Sequence, residues 1–153
     1  MVEQLRPGVT AARARFVLFD FDGTVSLIRS GWVDVMVPMM VEILAQLKTG
    51  EQEEELRAIV EDFVAHLTGK QTMYQMIELA RQVELRGGAP LDPLVYKRQY
   101  LARLHDKIRH RIEDLRTGRA APEKYLVPGV REFIEALAAR GMTMYLASGT
   151  DQE

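Results

Sequence analysis

The sequence predicts an α/β fold in which two parallel strands are separated by a long helical insertion. Two short apolar runs, 16–20 and 142–147, have the branched and aromatic content of buried parallel strands. The segment 30–121 between them has helical periodicity and no comparable run. Because parallel strands pair only through a crossover connection, the insertion and the helix predicted after it, at 130–138, form that connection.

The sequence pattern of the insertion predicts four consecutive helices. Four helices in a row indicate a small helical bundle. Pro38 indicates that the first helix starts late or is kinked there. Asp92 and Pro93 are the cap and first residue expected of the fourth helix. Apolar residues keep helical spacing in the segments 36–47, 56–67, 73–83 and 94–115. We therefore divide the chain into a core made of residues 1–29 and 122–153 and an inserted unit made of residues 30–121.

Composition narrows the class of protein. The 153 residues are 47% hydrophobic and 27% charged, with a net charge of −2, which is typical of globular proteins and indicates neither a nucleic-acid nor a membrane-surface partner. The absence of cysteine excludes disulfides, thiolate metal sites and a cysteine nucleophile. The first fifteen residues lack the apolar core of a signal peptide, and no apolar stretch is long enough to span a bilayer. We expect a cytoplasmic protein.

Two carboxylates, Asp20 and Asp22, end the first predicted strand and are followed by Gly23 and Thr24. Open α/β sheets place their active sites at the carboxyl ends of strands, and residues two apart in an extended chain share a face. Carboxylates can bind Mg²⁺ or attack phosphorus. An Asp-Gly surface turn is the simpler interpretation. Two aspartates at the end of an apolar strand are, however, costly to desolvate unless they bind something.

These residues carry a resemblance to a known family. The segment 19–24 resembles the first signature motif of haloacid dehalogenase (HAD) phosphatases, and residues 127–130, the following helix and residues 145–150 resemble the second. The resemblance implies a partial Rossmann-like core with an inserted helical cap. It also implies Mg²⁺-dependent hydrolysis of a small phosphorylated metabolite through an aspartyl-phosphate. A phosphomutase of the same superfamily, or a non-catalytic or split module that binds a partner, are the alternatives.

The same resemblance assigns roles to individual residues. Asp20 would be the nucleophile and Asp22 the general acid and base, with Mg²⁺ held by the Asp20 carboxylate and the Asp22 carbonyl. Ser148 would bind the phosphoryl oxygens with the Gly149 amide, and Thr24 would lie on the substrate side. Relatives that act as dehalogenases lack an aspartate at the position of Asp22, so this residue favours phosphate ester chemistry. Taken alone, Ser148 would be an ordinary helix cap.

The insertion lies where many HAD phosphatases carry a cap, which closes over the site and selects the substrate. Arg29, at the cap hinge, either meets substrate or is a solvated linker charge. Lys70 and Gln71 lie in a predicted loop that in similar capped phosphatases dips toward the active site, or they simply connect two helices. The basic run 97–119 is predicted to be a solvated helix face.

The family also requires a lysine or arginine that neutralises the phosphoryl charge and a further acidic motif for Mg²⁺. Both follow the second motif, where this chain has only Asp151, Gln152 and Glu153. We expect an incomplete core, and a chain that is inactive by itself. Its apolar strand residues should be exposed unless a C-terminal half, a partner chain or self-association covers them.

Overall fold

A computed structural model describes residue 8 and residues 13–148 of the chain. One strand, the helical insertion, a further helix and a second strand follow one another in the order predicted from the sequence. In chain order the elements are β1 (Phe16–Asp20), α1 (Val33–Ala45), α2 (Glu53–Leu67), α3 (Thr72–Leu85), α4 (Pro93–Arg116), a short 3₁₀ helix (Pro122–Tyr125), α5 (Val130–Ala139) and β2 (Thr143–Ala147).

The two strands pair in parallel, as the sequence predicts. The register runs from Phe16 opposite Thr143 to Asp20 opposite Ala147, and the amide of Thr143 donates a 2.9 Å hydrogen bond to the carbonyl of Arg15. The parallel pairing brings the carboxyl ends of β1 and β2 to the same edge of the sheet. The residues that follow both strands therefore meet at that edge.

The prediction that both strands are buried is wrong for this chain. Phe19 is buried, and its ring packs edge-to-face on Phe133 of α5 with the ring centroids 6.2 Å apart. Phe16 and Leu18 are 64% and 69% exposed, and Tyr145 of β2 is 54% exposed. The physical reason is the size of the sheet: the part of the chain that the structure describes has two strands, which leave an open edge on each side and most of their surface uncovered. The accompanying expectation, that apolar strand residues are exposed, is confirmed.

Helices α1 to α4 share one apolar core. Helix α1 packs against α2 and α4, and α3 packs against the same two helices. Four methionines line this core, and their flexible side chains suit an irregular interior. The largest fully buried side chains are those of Met36, Met39, Met40, Leu44, Leu56, Val60, Met76, Leu79 and Val83. No helix in residues 13–148 is both long and apolar enough to cross a bilayer.

The helix boundaries agree with the expected caps except at α1. Helix α1 begins at Val33, five residues before Pro38, so the expectation that it starts late is wrong. The alternative, a kink at Pro38, stays a prediction. A proline this close to the start removes a single hydrogen bond beside the first turn, and the buried methionines of α1 offset that loss. Asp92 caps α4 as predicted, because its side chain accepts a 2.7 Å hydrogen bond from the Leu94 amide and Pro93 is the first helical residue.

The two connections between the helices and the strands are paired with each other. The amide of Leu27 donates to the carbonyl of Tyr125 over 2.7 Å, and the amide of Val127 donates to the carbonyl of Val25 over 3.0 Å. Ser26 and Leu126 form an antiparallel bridge between them. Segments 25–27 and 125–127, the linker ribbon, thus hold the outgoing and returning chain together directly beside the end of β1.

Candidate active site

Asp20 and Ser148 lie at the same edge of the strand pair. Asp20 is the last residue of β1 and stands opposite Ala147, the last residue of β2, which Ser148 follows directly. Both Asp20 and Ser148 are exposed at that edge. Since the register determines this placement, it follows from the parallel pairing alone. Gly149, the predicted partner of Ser148, lies outside the described residues.

A tight turn follows Asp20 and determines where Asp22 lies. The carbonyl of Phe21 accepts hydrogen bonds of 2.9 Å from the amides of both Val25 and Ser26, and the amide of Gly23 donates over 2.8 Å to the carbonyl of Ser26. Gly23 adopts a φ of 79°, in the left-handed region that a side chain disfavours. The turn therefore depends on the glycine that follows Asp22. Thr24 is exposed in the same turn.

Asp22 is paired with Arg29, a residue of the outgoing linker. The Arg29 guanidinium (Nη1) lies 3.6 Å from Oδ2 of Asp22, and the two side chains are 30% and 35% exposed. The other carboxylate oxygen, Oδ1, is buried. The separation exceeds that of a direct hydrogen bond, so charge attraction joins these atoms. Partial exposure keeps such a pair weak in free-energy terms. Arg29 thus lies beside the carboxylate that the sequence assigns to acid–base chemistry.

Helix α4 holds the backbone on both sides of Arg29. The Arg111 guanidinium (Nη1) donates to the carbonyls of Ile28 and Ser30, over 2.8 and 2.9 Å, and to Ser30 Oγ over 3.1 Å. Hydrogen bonds from a charged donor are stronger than neutral ones. The position of Arg29 is therefore determined by the last helix of the bundle as well as by its own linker.

Gly31 lets the same linker pass close to α4. Its φ is 84°, and a Cβ atom built on it would lie 3.1 Å from Oδ2 of Asp34 and 3.3 Å from Cε of Lys107. Those two side chains form a 3.4 Å ion pair between α1 and α4. A side chain at position 31 would strain the backbone and press on this ion pair, so the glycine supports the close contact between linker and helix.

Tyr100 places a hydroxyl group from α4 within electrostatic range of Asp22 and Arg29. The residue is 4% exposed and belongs to the bundle core. Burial raises the pKa of its hydroxyl to about 12; the positive charge of Arg29 lowers that pKa, and the negative charge of Asp22 raises it. The hydroxyl therefore stays protonated at neutral pH and can donate a hydrogen bond. Sequence reasoning missed Tyr100, although its i, i+4 spacing with Tyr96 and Leu104 marks it as part of the buried stripe.

Comparison with protein families agrees with this arrangement. The model of one family, described as a haloacid dehalogenase-like hydrolase, matches residues 14–153. The chain belongs to this family. Searches of curated proteins and of solved structures gave no significant match. The HAD-like hydrolase match covers both strands, the turn after β1 and the whole helical insertion, so it confirms the resemblance seen in the motifs and the α/β fold class.

Two other candidate residues of this HAD-like hydrolase lie in the connection between α2 and α3. The side chains of Lys70 and Gln71 are both exposed there, directly before α3 begins at Thr72. The amide of Lys70 closes a turn on the carbonyl of Leu67 over 3.1 Å. Their part in substrate recognition stays a prediction.

The basic run of α4 differs from its predicted solvated face at two positions. Lys97 is only 7% exposed, and Arg111 is engaged with the linker backbone. Arg103 fits the prediction better, because it is partly exposed and pairs with Glu42 of α1 over 2.7 Å. The difference arises because α4 turns one basic side toward the bundle and the linker, which charge counting along the sequence does not reveal.

The described residues fit part of a Mg²⁺ ligand set. Within residues 13–148 there is no group of three or more His, Cys, Asp or Glu side chains that could hold a metal ion. The Asp20 carboxylate and the Asp22 main-chain carbonyl are hard oxygen donors two residues apart. Mg²⁺ in proteins commonly takes one or two carboxylates and completes its shell with water and substrate phosphate. These two groups are chemically suited to that mode.

Proposed function

We propose that this HAD-like hydrolase cleaves phosphate monoesters of small metabolites in a Mg²⁺-dependent reaction through an aspartyl-phosphate intermediate. The observation that carries the proposal is that Asp20 and Ser148 both lie at the carboxyl edge of the paired strands. Asp22 lies in the turn that follows Asp20. A nucleophile, a phosphate-binding hydroxyl and a second carboxylate are the groups that a two-step phosphoryl transfer requires.

In the first step a carboxylate oxygen of Asp20 attacks phosphorus, and the bond from phosphorus to the ester oxygen breaks. Asp22, entering this step protonated, gives its proton to the departing alkoxide, which leaves as the alcohol. In the second step Asp22 takes a proton from water, the water oxygen attacks phosphorus, and the Asp20 carboxylate leaves. Inorganic phosphate is the second product. Acid–base assistance of this kind contributes about 10²–10⁴ in rate.

Other groups bind the phosphoryl oxygens in this proposal. The Ser148 hydroxyl donates a hydrogen bond to one of them, the Gly149 amide to another, and Thr24 lies on the substrate side. Mg²⁺, held by the Asp20 carboxylate and the Asp22 carbonyl, supplies positive charge next to the transferring group when it is bound. Stabilisation of that developing charge is usually the largest contribution in such reactions.

The helical segment 30–121 acts as a cap in the same proposal. Arg111 and the linker ribbon join its entrance and exit to the turn that carries Asp22. A cap attached at this point would close over Asp20 and exclude water from the aspartyl-phosphate. Lys70 and Gln71 are proposed to contact the substrate from the loop between α2 and α3.

The proposal is tested by phosphate release from p-nitrophenyl phosphate, using the protein as its gene encodes it. We expect turnover that requires Mg²⁺ and is abolished in Asp20→Asn. Asp106→Asn is the matched control, because Asp106 is a 78% exposed aspartate on α4. Equal losses in the two variants, or normal turnover in Asp20→Asn, would remove Asp20 as the nucleophile.

A further inference from the structure

Asp22 lies in the turn after the proposed nucleophile, and Arg29 lies beside it. The proposed acid gives its proton to the ester oxygen of the leaving alcohol, so the groups around its carboxylate surround that alcohol. The Arg29 guanidinium lies 3.6 Å from Oδ2 of Asp22. A cation so close to the proposed acid is placed next to the leaving group rather than next to the far oxygens of the phosphate.

We propose that the preferred substrates are phosphate monoesters whose alcohol part carries an anionic group, such as a carboxylate, and that Arg29 binds that group. This inference rests on the proposed function, because it uses Asp22 to locate the leaving group. A guanidinium presents five donors in a planar fork, so it can contact a substrate carboxylate while it stays near Asp22. The pair is partly exposed, so an incoming anion can reach the Arg29 guanidinium.

The surroundings of Arg29 support a binding role over that of a mobile surface charge. Arg111 fixes the residues on either side through hydrogen bonds to Ile28 and Ser30. Because the backbone is held before any substrate arrives, the backbone loses little conformational entropy when Arg29 binds an anion. The local charge is also suitable: Arg111 reaches from α4 to this linker and contacts Ser30, while Lys107 of α4 pairs with Asp34 of α1.

Tyr100 adds a neutral donor to the same surroundings. Its hydroxyl is within electrostatic range of Asp22 and Arg29, and it remains protonated at neutral pH. A neutral hydroxyl adds no negative charge that would oppose the binding of an anion by Arg29. The buried position of Tyr100 in the bundle core keeps this hydroxyl in a fixed place.

The experiment compares two ligands that differ by one charge. They are 2-carboxyethylphosphonate and 2-carbamoylethylphosphonate, which mimic a phosphate monoester of an acidic alcohol and of its neutral amide. Neither has an ester bond to cleave, so equilibrium binding is measured whether or not the chain turns over. Dissociation constants are determined by calorimetry in the presence of Mg²⁺. The proteins compared are the unsubstituted chain as its gene encodes it, Arg29→Gln and Arg109→Gln. Arg109 is the matched control, because it is 73% exposed on α4.

We expect the unsubstituted chain to bind the carboxylate about tenfold more tightly than the amide, the lower end of the effect of a charge-assisted hydrogen bond. Arg29→Gln should bring the ratio of the two dissociation constants, amide to carboxylate, close to one. Arg109→Gln should leave this ratio unchanged. The inference is overturned by a ratio near one in the unsubstituted chain, by a ratio that survives Arg29→Gln, or by the absence of binding for both ligands at millimolar concentration. If Arg29 held the phosphate instead, Arg29→Gln would weaken both ligands equally and the ratio would survive.

The two proposals fail separately in these measurements. Asp20-dependent hydrolysis together with a ratio near one would remove the anionic-substrate inference and leave the phosphatase. A tenfold ratio that depends on Arg29, in a protein without Asp20-dependent hydrolysis, would remove the phosphatase and leave an anion-binding site beside Asp22.

Discussion

The helical bundle and the strand pair of this chain differ in how completely they are packed. The core of α1 to α4 includes side chains with no exposed surface, such as Met39, Met40 and Leu79. In the strand pair Phe19 is buried, whereas Leu18 next to it is 69% exposed. The proposed catalytic groups lie at the end of the less packed region. Stability of the described chain therefore comes mainly from the bundle, while the proposed chemistry depends on the strand pair and its turn.

The largest effect that separates the two regions is expected at Asp22. Asp22→Asn removes the proposed proton donor and should lower turnover of the gene-encoded protein by about 10²–10⁴. The free energy of unfolding should change by less than about 1 kcal/mol, because the Asp22–Arg29 pair is loose and partly exposed. Steady-state kinetics and urea unfolding check the two parts. A loss of stability with unchanged turnover would mean that Asp22 contributes to stability and not to catalysis.

The same substitution placed in each region tests the packing difference directly. Leu79→Ala leaves a cavity in the bundle core and should cost about 2–5 kcal/mol of unfolding free energy. Leu18→Ala removes a side chain that is already exposed and should cost no more than about 0.5 kcal/mol. Both are measured by urea unfolding followed by circular dichroism. A cost above about 2 kcal/mol for Leu18→Ala would mean that the strand pair is covered by another surface in solution.

A smaller effect on the free energy of unfolding is expected for an ion pair of the bundle that lies outside the proposed site. Arg86 donates to both carboxylate oxygens of Glu51, over 2.7 and 2.8 Å, and its side chain is 10% exposed. Arg86→Met should cost about 1.5–3 kcal/mol, as expected for hydrogen bonds to charged groups. Arg81→Met is the control, because Arg81 lies in α3, which Arg86 directly follows, and is 55% exposed in its pair with Glu78. Equal costs would show that burial does not strengthen the Arg86 pair.

The smallest effect is a pH dependence of that Arg86–Glu51 pair. Hydrogen bonds from Arg86, and then from Thr49, lower the pKa of Glu51 below its usual value of 4.5, and burial opposes them. The stabilisation is therefore fully present above the unfolded-state pKa and is lost as the pH falls through the folded-state pKa. The stability difference between the unsubstituted chain and Glu51→Gln should shrink between about pH 5 and pH 3. A difference independent of pH would contradict this assignment.

The elements themselves were largely predictable from local patterns. Helical spacing located α1 to α4, and Asp92 with Pro93 marked the start of α4. The meeting of Asp20 and Ser148 was predictable because parallel pairing leaves no other edge for residues that follow the two strands. For Arg29 the sequence left two interpretations open, contact with substrate or a solvated linker charge. The structure places it beside Asp22, and its contact with substrate stays a proposal.

What the sequence did not reveal depends on tertiary contacts. An apolar run is the same whether its strand is covered or not, so the exposure of Leu18 and Tyr145 could not be read from composition. The side of α4 that meets the linker is determined by bundle packing, and for that reason Tyr100 and Arg111 were missed. Lys97 was assigned to a solvated face for the same reason, although it is buried.

The central claim is that Asp20 takes the phosphoryl group covalently. The most direct measurement is to mix the gene-encoded protein with Mg²⁺ and a phosphate monoester, quench in acid, reduce with borohydride and locate the modified residue by peptide mass. Reduction converts an aspartyl-phosphate to homoserine. We expect this change at position 20 of the unsubstituted protein. In the Asp22→Asn chain we expect no such change at any other aspartate. Phosphate release with an unmodified Asp20, or modification at another aspartate, would contradict the account.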